Sequence, residues 1–292
     1  MSRRSQFGIS MALVVLTWGM NYAMTKIGVE RLAPVNFVFW RFLGTAAAML
    51  PWMVKDLPRR WVDWGKLALM GLVGVSLYQW LFATALSLTT AADVAFLFNL
   101  SPLMTLAVQS VTGRRPVTRF MFWGAGLAVL GVLLLAHASL NGGWLGDLMA
   151  LLAAMAWSAF TVMTDRFQLP VKGLAQTGWM AAVGSLGLLP FIRITEPWRL
   201  GFSTWGPLLY TILFVTVLGL SLWQRAVETE GAGRASLYLY VIPVVAALSG
   251  WLWLGERIGW TEGLGALLIV SGVIVGEGRV GFRRATNRLK SL

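Results

Sequence analysis

The side chains that could recognise a small polar molecule are few in this chain, and they sit inside long apolar runs. Asn21, Tyr22, Tyr78, Gln79, Asn99, Trp157, Trp223, Tyr238 and Tyr240 bring amide, phenol and indole groups into segments otherwise built from Leu, Val, Ala, Phe and Met. Polar groups in such surroundings face a bundle interior or a cavity, where they can hydrogen-bond a ligand while rings stack on it. For Asn21 the competing role is a hydrogen bond between helices. Two cations accompany them as candidate charge partners. Arg41 lies about a third of the way into its run, and its planar fork suits a carboxylate or phosphate; the alternative is that it snorkels to headgroups or binds a carbonyl. Lys26 stands near the end of the first run, where snorkelling competes with a functional role. His137, the one histidine, could titrate near neutral pH but falls at the end of a run, an interfacial position.

Chemistry that needs more than this is missing. The chain has 12 acidic residues, one His and no Cys, which excludes disulfides, thiolate metal sites and cysteine nucleophiles. No phosphate-binding loop, zinc-ligand set or nucleophile-base constellation appears. No catalytic residue, metal or cofactor is therefore expected, and a membrane-embedded enzyme is disfavoured. The runs hold no central Asp or Glu of the kind that relays protons in pumps. Asp93, Asp147 and Asp165 are at run ends and Glu228 and Glu230 beyond one, so exchange or facilitated efflux is favoured, with proton coupling open.

The elements that must position these residues follow from composition. With 57% apolar residues, 12% charged residues, a mean hydropathy of +0.70 and 16 Trp in 292 residues, the chain is too apolar for a soluble domain of this size. A span needs about 20 apolar residues. Ten runs qualify, at approximately 8–28, 35–55, 66–88, 92–111, 119–138, 145–165, 173–193, 205–227, 234–254 and 259–278, which predicts an all-α polytopic membrane protein. The net charge of +12 falls on alternate loops. Arg59, Arg60, Arg114, Arg115 and the tail's Arg283 and Arg284 share a side with Arg3 and Arg4, while the other side receives Arg31, Arg193, Arg199 and Arg257. The positive-inside rule then places both termini in the cytoplasm, with the chain in the plasma (cell inner) membrane. The basic excess is explained by topology and the lipid bilayer, so no nucleic acid partner is expected. Trp52, Trp61, Trp64, Trp198, Trp205 and Trp260 lie at run ends, where indoles anchor at headgroups.

The runs repeat. The stretch Ala92 to Pro116 returns as Gly233 to Arg257, with Pro102 and Pro243 141 positions apart, and the same offset brings Gly124 onto Gly265 and Gly131 onto Gly272. Trp18, Met24 and Thr25 likewise match Trp157, Met163 and Thr164, with Lys26 opposite Asp165. Five spans per half is an odd number, so residues 1–141 and 142–292 form two inverted five-helix repeats in a single membrane domain. Each proline removes a backbone bond and frees a carbonyl, which hydrocarbon tolerates beside protein or a water-filled cavity. Pro102 and Pro243 are thus expected helix kinks around a central cavity. Asn99 and Tyr240, three residues before them, are the first choices for its lining. Tyr238 points about 200° from Tyr240 on a regular helix and is placed second. The glycine series Gly124, Gly131, Gly265, Gly272 and Gly276 is expected to serve close packing or a homodimer.

The run WGMN with Lys26, then Leu32, Ala33, Pro34 and Arg41, then Gly146, Asp147 and Leu148, the Pro243 segment ending in Gly255 and Glu256, and Gly265 to Gly276, resembles the drug/metabolite transporter superfamily in its EamA branch. The ring density on the inner runs looks most like its aromatic amino acid exporters. The resemblance covers nearly the whole chain twice. It implies ten helices with the third, fourth, eighth and ninth lining a cavity beside the first and sixth, and export of small metabolites, aromatic or neutral amino acids foremost, by alternating access. Efflux of cationic drugs or other metabolites, and a pore open to both sides, are the alternatives.

Overall fold

The computed structural model describes residues 3–89, 91–112, 117–136, 143–193, 201–249 and 260–277. His137, Arg114, Arg115, Trp198, Arg199, Gly255, Glu256, Arg257 and the basic tail lie outside them. All regular structure among the described residues is helical. Residues 1–141 contribute α1 (Arg3–Gly19), α2 (Asn21–Val29), α3 (Pro34–Met53), α4 (Trp61–Gly71), α5 (Tyr78–Leu88), α6 (Ala91–Phe98), α7 (Ser101–Thr112) and α8 (Arg119–Ala136). The remainder contributes α9 (Trp144–Phe167), α10 (Gly173–Leu188), α11 (Phe202–Tyr210), α12 (Ser221–Glu230), α13 (Ala232–Leu237), α14 (Ile242–Ser249) and α15 (Trp260–Glu277). Five helical runs are long and apolar enough to cross a membrane: Ser5–Val29, Trp61–Leu88, Asp93–Thr112, Trp144–Phe167 and Thr204–Glu230.

Several runs are interrupted, and two kinds of interruption correspond between the halves. A π-helical stretch, Leu72–Leu77, joins α4 to α5, and a second, Thr211–Leu220, joins α11 to α12. Nothing in their composition announced either. The prolines do announce theirs: α6 ends at Phe98 and α7 restarts at Ser101 with Pro102 second, while the 3-10 turn Tyr238–Val241 precedes α14, whose second residue is Pro243. A proline fits the start of a helix because that turn needs no amide donor. The first run also breaks, at Met20 between α1 and α2.

Close approach fixes the packing. A Cβ on Gly124 would stand 2.4 Å from the Gly272 carbonyl oxygen, and one on Gly131 2.5 Å from that of Gly265, so α8 and α15 meet backbone to backbone. The glycine faces expected to serve either packing or a homodimer meet each other within one chain at Gly124, Gly131 and Gly272. Nearer the centre, Gly19 lets α1 cross Val245 of α14, and Gly74 makes room for the Phe160 ring of α9. Trp61 and Trp260 stand about nine-tenths exposed at helix starts.

Candidate functional site

These crossings leave a narrow internal cavity of about 30 Å³ where the helices of both halves converge. The first half supplies Trp18 from α1, Asn21 and Tyr22 from α2, Arg41 from α3, Tyr78, Gln79 and Phe82 from α5 and Phe98 from α6. The second supplies Trp157 from α9, Val215 and Leu220 from the π-helical stretch, and Ile242 from α14. That is room for about one water, below the roughly 300–1,000 Å³ of small-molecule sites, so a larger ligand would need the walls to part. Six of the predicted residues, Asn21, Tyr22, Arg41, Tyr78, Gln79 and Trp157, are in this lining.

Rings make its walls. Trp18 and Trp157, which occupy matching places in the two halves, meet edge to face at 5.2 Å. Tyr78 lies 5.0 Å from Trp157 and stacks on Phe98 at 5.5 Å with planes 24° apart, and Tyr22 meets Phe82 at 5.3 Å. The Trp18 indole donates to the Val215 carbonyl at 3.1 Å. That contact needs a glycine beside it, since a Cβ on Gly219 would lie 2.4 Å from the indole nitrogen. Contacts of this kind add about 0.5–1.5 kcal/mol per ring pair and hold the walls in fixed orientation.

Among the described residues Arg41 is the one charged side chain in the lining, and it is 2% exposed. Its Nε donates to Thr216 Oγ1 at 3.0 Å and its Nη1 to Gln79 Oε1 at 3.2 Å, while the guanidinium carbon stands 5.0 Å from the Phe42 ring centroid. The Thr216 hydroxyl is itself committed as donor to the Thr211 carbonyl at 2.9 Å, a bond across the π-helical stretch that turns its lone pairs toward Arg41. Snorkelling is thus replaced by an inward-held fork. Asn21 Oδ1 accepts from Thr25 Oγ1 at 3.1 Å.

Other predicted residues fall elsewhere. Asn99 sits in the break between α6 and α7 and donates its amide back to the Ala95 carbonyl of its own helix. Tyr240 is buried in a separate apolar cluster with Leu106, Met121, Ala125 and Ile269. Both were expected in the lining from regular helix geometry, and the break and the 3-10 turn change the rotation on which that expectation rests. Trp223 stands behind the wall, 5.4 Å from Trp157 and 5.5 Å from Trp18. Tyr238 meets Phe7 at 5.3 Å, off the lining. Lys26 donates to the carbonyls of Leu86 and Thr89 at 2.5 and 3.2 Å, closing the end of α5 rather than serving as a charge partner in the cavity. Trp18, Phe82, Phe98, Val215, Leu220 and Ile242 were missed, being apolar residues in apolar runs. Trp18 and Phe82 were findable as the repeat counterparts of Trp157 and Trp223.

The model of the EamA-like transporter family matches the chain twice, over residues 6–136 and 144–275. An uncharacterized transporter of Archaeoglobus fulgidus is 24% identical over 283 residues, covering 92% of this chain and 96% of the relative. A protein of Salmonella typhimurium named "probable amino-acid metabolite efflux pump" is 25% identical over 310 residues, covering 99% of each. The uncharacterized inner membrane transporter YedA of Escherichia coli is 27% identical over 281 residues, covering 92% of this chain and 89% of its own. A crystal structure 19% identical in sequence superposes with a TM-score of 0.76 over 94% of this chain and 98% of the other, so the fold is shared.

Proposed function

The chain belongs to the EamA-like transporter family, and on that premise we propose that it is a secondary transporter that exports small metabolites, with aromatic and neutral amino acids the first class to test. The observation that carries this reading is the aromatic cavity built jointly by residues 1–141 and 142–292, with one fixed cation inside it. Ten spans in two inverted repeats would let the halves rock about this cavity and expose it alternately to each side. The double family match, the paired π-helical stretches and the paired proline breaks support the repeat. The alternating basic loops support cytoplasmic termini, and the relative named an inner membrane transporter supports that location. The relative named an amino-acid metabolite efflux pump supports the substrate class.

Efflux of cationic drugs fits less well, because no carboxylate among the described residues lines the cavity. Reconstitution in liposomes tests the proposal. Phenylalanine or another neutral amino acid should move saturably above empty vesicles, with no unitary conductance in bilayer recording. Absence of such flux would remove the substrate class, and single-channel steps would favour a pore.

A further inference from the structure

The polar atoms around the cavity are unbalanced. A guanidinium carries five N–H donors, and the protein engages two of Arg41's, through Thr216 and Gln79. No carboxylate among the described residues pairs with it. Both side-chain amides of the lining are turned the same way: the Gln79 oxygen is taken by Arg41 and the Asn21 oxygen by Thr25. Their nitrogens, which are donors only, have no protein partner among the described residues. The Trp157 indole N–H is buried and also lacks one. Buried donors are normally satisfied, and a buried charge left without a counter-ion is costly in a membrane interior. The site therefore has surplus donors and positive charge, and each of its amide oxygens already accepts one bond.

We propose that Arg41, with the amide nitrogens of Gln79 and Asn21, forms an anion subsite that holds the carboxylate of a net-anionic substrate with an aromatic or apolar body. The proposal rests on the transporter reading and narrows it. A carboxylate can bridge the free edge of the Arg41 fork, as planar guanidinium and carboxylate groups do, while the substrate's body would lie against Trp18, Trp157 and Phe82 once the walls part beyond the present 30 Å³. A zwitterion carries an ammonium group that the Arg41 cation repels, and the amide oxygens that could solvate it each already accept one bond, which leaves their second lone pairs and the Tyr22 and Tyr78 hydroxyls. A 2-oxo or 2-hydroxy acid has the same body and carboxylate without that demand. The cavity should thus favour the deaminated acid over the amino acid, and reject the amine that lacks a carboxylate.

Calorimetric titration of the purified full chain with phenylpyruvate, phenylalanine and phenethylamine tests this, beside uptake of the same three compounds into liposomes. Phenylpyruvate should bind about tenfold more tightly than phenylalanine, and phenethylamine should not bind. Arg41→Gln should weaken phenylpyruvate about thirtyfold or more. Because loss of a buried arginine can unfold the chain, Gln79→Glu is the second variant: it keeps Arg41 but supplies an internal counter-ion, and should abolish the preference for phenylpyruvate. Equal affinity for phenylpyruvate and phenethylamine, no binding of phenylpyruvate, or an unchanged preference in Gln79→Glu would overturn the subsite. Binding of phenylpyruvate without uptake would leave the subsite standing and refute the transporter reading. Uptake of a neutral amino acid without phenylpyruvate binding would do the reverse.

Discussion

Two tyrosines and two cations show how position decides role. Tyr78 has one face on Phe98 and its edge near Trp157, and it lines the cavity; Tyr240 is as deeply buried but packs in the α8–α15 cluster. Tyr78→Ala is predicted to weaken aromatic substrates about tenfold or more, the effect of truncating a buried ring that contacts the ligand. Asn99→Ala, which removes a bond internal to α6, should leave that affinity unchanged. Substrate titration of the two variants side by side checks the contrast. Arg41 points into the cavity, whereas Lys26 is bound by the carbonyls that end α5. Lys26→Met should accordingly lower stability by about 1–3 kcal/mol through the carbonyls it leaves unpaired, with substrate affinity unaltered, as thermal unfolding in detergent and titration would report. The polar members of the site were legible in the sequence because Asn21, Gln79 and Arg41 contrast with the apolar residues around them. Phe82 and Phe98 offered no such contrast.

At the scale of elements, departures from regular helix shape the site more than the helices do. The π-helical stretch Thr211–Leu220 presents the Val215 carbonyl to Trp18 and the Thr216 hydroxyl to Arg41. At ten residues it exceeds the single-turn bulges in which π-helix usually occurs, and a pattern of uniformly apolar residues carries no signal for it. The proline breaks were legible, since proline cannot sit within a helix without removing a bond; their effect on the facing of Asn99 and Tyr240 was not. Pro102 lacks the amide that would reach the carbonyl of Phe98, a residue of the lining. Pro102→Ala should heal the break and slow transport severalfold while affinity changes little, which initial uptake rates over a concentration series would show. The α8–α15 contact is a packing device. Gly272→Ala would put a Cβ 2.5 Å from the Gly124 carbonyl oxygen, forcing the backbones apart, and should cost about 1–3 kcal/mol. Gly126→Ala, with nothing within 4 Å, should cost none, and thermal unfolding distinguishes the two.

For the whole molecule, the two matches to one family model and the paired irregularities describe a chain in which two copies of one plan were given different chemistry. Trp18 faces its own counterpart Trp157, yet the only cation among the described lining residues, Arg41, comes from the first copy. The duplication was readable from the spacing of matched residues alone, and the double family match agrees with it. The volume and lining of the cavity depend on which turns are broken, and they required coordinates. The account's central claim is that this cavity is the site opened alternately to the two sides of the membrane. Since the chain contains no cysteine, Phe98→Cys creates a single thiol in the lining. Its labelling by a membrane-impermeant thiol reagent, in vesicles of each orientation, is the most direct measurement. The account predicts labelling from either face, slowed from both by saturating phenylpyruvate, and no ion conductance. Labelling from one face only, or from both with channel-like current, would contradict it.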